Sequence, residues 1–260
     1  MNAVRLFFEE SGQGIPIILL HGYPLDHTIW QPLIPFMNKE ARLIMPDLRG
    51  YGQSPVTDGI YSMQLLAGDV LNLMDELEIR KAVLAGHSMG GYVALSFAQA
   101  FPKRLSGLAL VASHCFKDDP EKAKGRLETA SRVEQTGQID FIVCSMLPNL
   151  TAEPRHQKKL EEMMLKAKPK SVSGILRGMA ERETTCSVLH EMVQPAVIIA
   201  GGKDRLIPIE HAKKMAAVMR NSWLEVIPEA GHMPMLEAPE KVAYILNLLL
   251  EKVNSSNRSI

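Results

Sequence analysis

Apolar residues along this chain follow two different rhythms. Short apolar runs bounded by Gly, Pro or Asp recur from one end to the other: "VRLFFEE", "IPIILL", "ARLIMP", "KAVLAG", "LSGLALVA", "PAVIIAG" and "WLEVIP". The first two flank the turn "SGQG" and predict an antiparallel hairpin. The other five are continuously hydrophobic rather than alternating, as strands buried on both faces of a parallel sheet are. Between the runs lie segments of helical period. From Ser62 to Ile79, Leu66, Val70, Leu73, Met74 and Leu77 fall on one face, and "GGYVALSFAQAF", "IEHAKKMAAVM" and "PEKVAYILNLLLEKV" behave similarly. Strand and helix in alternation imply βαβ crossovers and a sheet covered on both faces. The polar tail "NSSNRSI" after Val253 is expected to fray.

The alternation breaks between Phe116 and His190, where charged segments such as "DPEKAKGRLETASRVEQTG" and "PRHQKKLEEMMLKAKPKS" have helical spacing and no convincing strand. The expected organisation is an α/β core made of residues 1–115 and 191–260, interrupted by a helical cap at 116–190 that rests on the carboxyl end of the sheet. The insertion's lysines alternate with glutamates at helical spacing and read as a solvated face. Its methionines, Met146, Met163, Met164, Met179 and Met192, can either fill its core or line an adaptable apolar pocket.

Composition narrows the partners. The 260 residues are 46% hydrophobic and 22% charged, with 29 Lys plus Arg against 29 Asp plus Glu. Wholesale disorder is excluded, and no net field draws the chain to nucleic acid or an anionic membrane. A small neutral or apolar molecule is the expected partner. No apolar run approaches the ~18 residues that suggest a membrane span. Glu9 and Glu10 follow a short apolar run where a secretory leader would have its hydrophobic region, so a cytoplasmic location is expected. Cys115, Cys144 and Cys186 are an odd, scattered set without metal-site spacing, and are read as reduced thiols.

Within "AVLAGHSMGGYVALSFAQAF" a strand pattern meets a helix pattern at Ser88, in the sequence G-x-S-x-G. A serine projecting from a tight turn needs neighbours without side chains, which Gly86 and Gly90 supply. The helix behind it points free N–H groups at the same place. A helix-capping serine would account for the five residues equally well. Nucleophilic chemistry demands a base and a group to orient it. In this architecture both follow the serine in the chain. "PAVIIAGGKDRLIP" carries Asp204 past the end of a strand, and "WLEVIPEAGHMPMLEAPE" carries His232 past the next. Carboxyl ends of neighbouring parallel strands open on one crevice, so the three side chains converge. Asp118 or Asp119, which with His114 follow an earlier strand, could replace Asp204 as the acid. His211 belongs to a helix, and His87, adjacent to the serine, points away from it.

Acyl transfer also needs donors for the oxyanion. The N–H of Met89 follows the nucleophile, and in "IPIILLHGYPLDHTIW" the N–H of Tyr23 is available where Pro24 has none. His21 is assigned a loop-ordering hydrogen bond, and Asp47 and Arg49 of "MPDLRGYGQS" the same task in their glycine turn.

Taken together and in this order, "HGYP", "DLRGYGQS", "GHSMGG", "GGKDRLIP" and "GHMPMLEAPE" resemble the α/β-hydrolase superfamily across nearly the whole chain. The resemblance implies an eight-stranded, mostly parallel sheet with a helical cap after the sixth strand, and no cofactor or metal. It also implies Ser88 as nucleophile, Asp204 as acid, His232 as base, and Tyr23 and Met89 as oxyanion donors. Ser88 stands where relatives that are haloalkane dehalogenases and epoxide hydrolases carry aspartate. Met233 stands where carbon–carbon bond hydrolases often carry tryptophan. The expected activity is that of a carboxylesterase on small to medium esters. Lactone hydrolysis is an alternative, as is perhydrolysis on the side, which Pro24 suggests, and so is a ligand receptor of this fold without turnover.

Overall fold

The first two apolar runs do not pair with each other. In the computed structural model, which describes residues 3–258 with side chains through Ser255, β1 (Phe8–Ser11) runs antiparallel to β3 (Ala41–Pro46). Strand β2 (Ile15–Leu20) lies on the far side of β3, parallel to it. The expected hairpin is therefore corrected. The cause lies in the side chains. Ile17 to Leu20 are buried and need cover on both edges, which β3 and β4 (Ala82–His87) provide. The charged run with Glu9 and Glu10 suits an outer edge.

The remaining strands are β5 (Leu105–Val111), β6 (Ala196–Gly201) and β7 (Ser222–Ile227), all parallel to their neighbours. The sheet has seven strands in the order β1-β3-β2-β4-β5-β6-β7. The eighth strand implied by the family resemblance is not formed among the described residues, because the chain has seven apolar runs of strand type and each is used once. The helical insertion accordingly follows the fifth strand rather than the sixth.

Helix α1 (Met63–Glu76) is capped by Ser62, whose hydroxyl accepts the Leu65 N–H, and buries Leu66, Val70, Leu73 and Met74 as its period requires. Helix α2 (Met89–Ala100) is buried on nearly every side. The segment between β5 and β6 holds five helices and no strand: α3 (Pro120–Thr136), α4 (Asp140–Leu150), α5 (Pro154–Leu165), α6 (Pro169–Ala180) and α7 (Cys186–Glu191). Helices α8 (Ile209–Val218), α9 (Pro234–Glu237) and α10 (Pro239–Arg258) complete the chain. Helix α10 continues through Arg258, into the tail expected to fray; Ser259 and Ile260 lie outside the described residues. None of the helices is long and apolar enough to cross a membrane, among the described residues. The core forms two clusters, one on each face of the sheet, as a two-sided cover dictates.

The reading of all three cysteines as reduced thiols is also corrected. Cys115 and Cys186, 71 positions apart, are joined in a disulfide, and Cys144 is free and exposed. The helical insertion leaves the sheet just after β5 and returns just before β6, so its two ends meet. The Thr185 N–H donates to the Cys115 carbonyl at the same place.

Candidate active site

Ser88 sits between β4 and α2 with φ +49° and ψ −114°, a conformation that non-glycine residues adopt only under constraint. The constraint is close packing. A Cβ on Gly86 would lie 2.3 Å from the Gly90 carbonyl oxygen, and one on Gly90 2.3 Å from that of Leu20. The elbow is also tied down: the Ser88 N–H donates to Val111 O, and the Ser113 hydroxyl donates to Ser88 O. The Ser88 side chain makes no capping hydrogen bond to α2, so the helix-cap reading does not describe it.

Asp204 and His232 follow β6 and β7. His232 Nδ1–H donates to Asp204 Oδ2 at 2.9 Å, with the two side chains 1% and 3% exposed. The other carboxylate oxygen accepts the N–H groups of Leu206 and Ile207 at 2.8 and 3.0 Å. Burial pushes the Asp204 carboxyl up, but the His232 hydrogen bond and charge, with the two backbone donors, outweigh it and hold the group below its ordinary value. With Nδ1 donating, Nε2 of the neutral ring is an acceptor. Ser88 and His232 open on one cavity of about 520 Å³, although no hydrogen bond joins the serine hydroxyl to the imidazole. Tyr23 and Met89 line the same cavity, and none of the loop hydrogen bonds uses the N–H of either.

His21, His87, His114 and His211 have structural partners. His21 Nε2 accepts the Leu48 N–H at 2.8 Å and its Nδ1–H donates to Gly22 O at 2.9 Å, tying the loop after β2 to the loop after β3. His87 turns away from Ser88, and its Nε2–H donates to the His232 backbone carbonyl at 2.8 Å. That link was not readable in the sequence, which shows only that His87 neighbours the serine. Its ring is wholly buried, with Nδ1 unpartnered, and burial followed by the nearby His232 lowers its pKa to about 3. His114 meets the Tyr92 hydroxyl at 3.1 Å, and His211 packs edge-on against His114. Neither alternative acid faces a histidine at the site: Asp118 binds Arg126 and Arg182, and Asp119 caps α3 through the Lys122 N–H.

Asp47 accepts the N–H groups of His27 and Gln53, and Arg49 forms a buried pair with Asp69, so both hold loops as expected. Asp26, His27 and Asp47 form a cluster of metal-ligand type, within 4.8 Å of one another. There, His27 Nδ1 donates to Asp47 at 2.7 Å, and Asp26 caps the following turn through Thr28. The sequence singled out neither Asp26 nor His27.

Helices α3, α4 and α6 supply most of the cavity's remaining wall. Met146 and Met179 are among the lining residues, whereas Met163, Met164 and Met192 pack in the core. Lys122 and Arg126 also line it, which departs from the solvated face expected of the insertion's cations.

Residues 15–239 match the model of the alpha/beta hydrolase fold family. The chain is 34% identical over 259 residues to the dihydrolipoyllysine-residue acetyltransferase component of an acetoin cleaving system from Pseudomonas putida, covering 95% of this chain and 66% of that one. It is 31% identical to the AB hydrolase superfamily protein YisY of Bacillus subtilis, with 92% of each chain covered. Among solved structures, a thermophilic esterase from Thermogutta terrifontis, with malate bound, superposes with a TM-score of 0.91 at 38% identity, over 95% of this chain and 93% of that one. The elbow, the parallel sheet that carries it and these matches lead to one conclusion: this chain belongs to the α/β-hydrolase fold family.

Proposed function

We propose that the protein is a serine carboxylesterase that works through an acyl-enzyme. The observation that carries this reading is Ser88: a serine held at φ +49°, free of any capping bond, facing the cavity that His232 also lines. Ser88 Oγ attacks the ester carbonyl carbon while its proton passes to His232 Nε2, and the carbonyl oxygen becomes an oxyanion. The N–H groups of Tyr23 and Met89 receive that charge, each lowering the barrier by about 2.7–4 kcal/mol. Asp204 stabilises the imidazolium and fixes its tautomer. The tetrahedral species collapses, and the alcohol leaves with the proton from His232. Water, deprotonated by the same imidazole, then attacks the acyl-enzyme, and departure of the acid restores Ser88. The Ser88–His232 hydrogen bond that this mechanism needs would form with substrate bound, as such contacts often tighten only then.

Helices α3–α7 serve in this reading as the cap that selects the substrate. The esterase relative from Thermogutta terrifontis supports ester over other acyl donors. A lactone is opened by the same steps with the alcohol still tethered, and peroxide in place of water would give a peracid as a side product. The test is turnover of a panel of p-nitrophenyl esters, lactones, and acetate with peroxide by the wild type and Ser88→Ala. Steady hydrolysis that falls by ~10⁶ in kcat in the variant is expected. A loss of less than a hundredfold, or a single burst that leaves a lasting adduct, would overturn it.

A further inference from the structure

The cavity beside Ser88 is mostly apolar, but its charged groups are all of one sign. Lys122 and Arg126, one turn apart on α3, both line it, and no Asp or Glu does among the described residues. Their nearest counter-charge is Asp118, and that carboxylate is already engaged elsewhere. Both of its oxygens are bound by Arg182, at 2.8 and 2.9 Å, in the fork-to-fork geometry that satisfies a guanidinium best. Arg182 is itself buried and stacks over the Tyr92 ring. Arg126 reaches Asp118 with Nε alone, at 2.6 Å, and Nη1 finds only the Met179 sulfur, at 3.5 Å. Lys122 Nζ stands 3.7 Å from Asp118, beyond hydrogen-bond range. Three cations thus share one buried carboxylate, and the two that remain under-compensated are those at the cavity. Burial, and then the neighbouring Arg126 charge, pull the Lys122 ammonium below its ordinary value, outweighing the opposing charge of Asp118.

Arg126 also has limited contact with water, its side chain being 17% exposed. A purely structural partner for Asp118 would need only Nε, and would leave no reason for a second cation on the adjoining turn. From this arrangement we infer that Lys122 and Arg126 form a carboxylate subsite, and that the preferred substrate is an ester carrying a second, ionised carboxyl group. The inference rests on the acyl-transfer reading above for its chemistry, but not for its binding. An apolar segment lies against Met146, Met179 and Phe141 while the anion meets Arg126 Nη and Lys122 Nζ.

The experiment compares matched esters. Mono-p-nitrophenyl adipate against p-nitrophenyl hexanoate places the carboxylate on the acyl side, and 4-acetoxybenzoate against its methyl ester places it on the alcohol side. Wild-type kcat/KM should favour the charged member of at least one pair by tenfold or more. Lys122→Gln and Arg126→Gln should each lower that charged-to-neutral ratio about tenfold. A wild type that prefers the neutral member of both pairs overturns the proposal, as does a ratio that neither variant moves. Should Arg126→Gln fail to fold, Lys122→Gln, at a side chain 43% exposed, still decides. Adipate binding to the full-length Ser88→Ala variant, measured calorimetrically, is independent of turnover. Binding that Lys122→Gln weakens severalfold supports the subsite even if ester hydrolysis proves not to depend on Ser88, and no detectable binding counts against it. Failure of the acyl-transfer reading would appear separately, as turnover that Ser88→Ala leaves intact.

Discussion

His87 should make the fold sensitive to mild acid, and the size of the effect follows from its surroundings. The ring is wholly buried, donates one N–H to the His232 carbonyl and has no partner at Nδ1, so a second proton would place a charge where nothing accepts it. Its pKa in the folded protein is lowered to about 3, by burial first and by the adjacent His232 second. An unfolded histidine titrates near ~6.5. Because the folded value is the lower one, the unfolded chain binds more protons between the two. The contribution of His87 to stability is therefore complete above pH ~6.5 and is lost as the pH falls toward ~3. From pH 7 to pH 5.5 the unfolded imidazole goes from roughly a quarter to nine-tenths protonated while the folded one stays neutral, a loss of roughly 1 kcal/mol. Other histidines also titrate in this range. His114, His21, His156 and His211 are lowered and act in the same direction, whereas His27 is raised by Asp47 and Glu9 against its burial and acts in the opposite one. A variant isolates one of them. His87→Gln keeps an N–H donor and cannot titrate, so urea unfolding at the two pH values should show it losing about 1 kcal/mol less than wild type. Parallel losses in the two proteins would refute the argument that His87 is held neutral.

Two further outcomes follow from the same structure. Cys115→Ser opens a 71-residue loop and should cost about 2–4 kcal/mol, read as a lower thermal midpoint that reductant reproduces in wild type but no longer shifts in the variant. Gly90→Ala would put a methyl group 2.3 Å from the Leu20 carbonyl oxygen, so the elbow must move. An ester-hydrolysis loss of about a hundredfold is expected, with the circular dichroism spectrum retained, and unchanged activity would show that the elbow has slack.

The sequence made the order of elements legible because their periods differ sharply. Runs such as "AVLAG" and "AVIIAG" are too continuously apolar for an exposed strand and too short for a helix, and β4 and β6 are where they fall. Ser88, Asp204 and His232 could be placed together for a topological reason: each follows a strand, and the strands are parallel neighbours or nearly so. The failures were of pairing. Nothing local says that β1 skips β2 to reach β3, since the edge preference of Glu9 and Glu10 becomes visible only once β2 is known to be enclosed. The disulfide was hidden in the same way, because 71 residues separate two cysteines that become neighbours only when the insertion closes on itself.

The insertion shows where periodicity stops being informative. A helical repeat of lysine and glutamate establishes that α3 has a charged face; it does not say what that face looks upon. On a free helix Lys122 and Arg126 would be solvated like Lys124, which pairs with exposed Glu128 at 3.7 Å. Here α3 and α6 pack together, with Arg177 of α6 bound to Glu134 of α3, and this packing turns part of the α3 charged face toward the cavity. Two positions of one turn thereby differ in function though not in residue type: Lys124 meets solvent, and Lys122 meets the space beside Ser88. The glycines of the elbow could be read from the sequence, because close backbone contacts dictate them, whereas the role given to Ser88 needed Asp204 and His232 as well. Which side chains face the cavity beside Ser88 is set by how α3, α4 and α6 are turned within the insertion rather than by any local pattern.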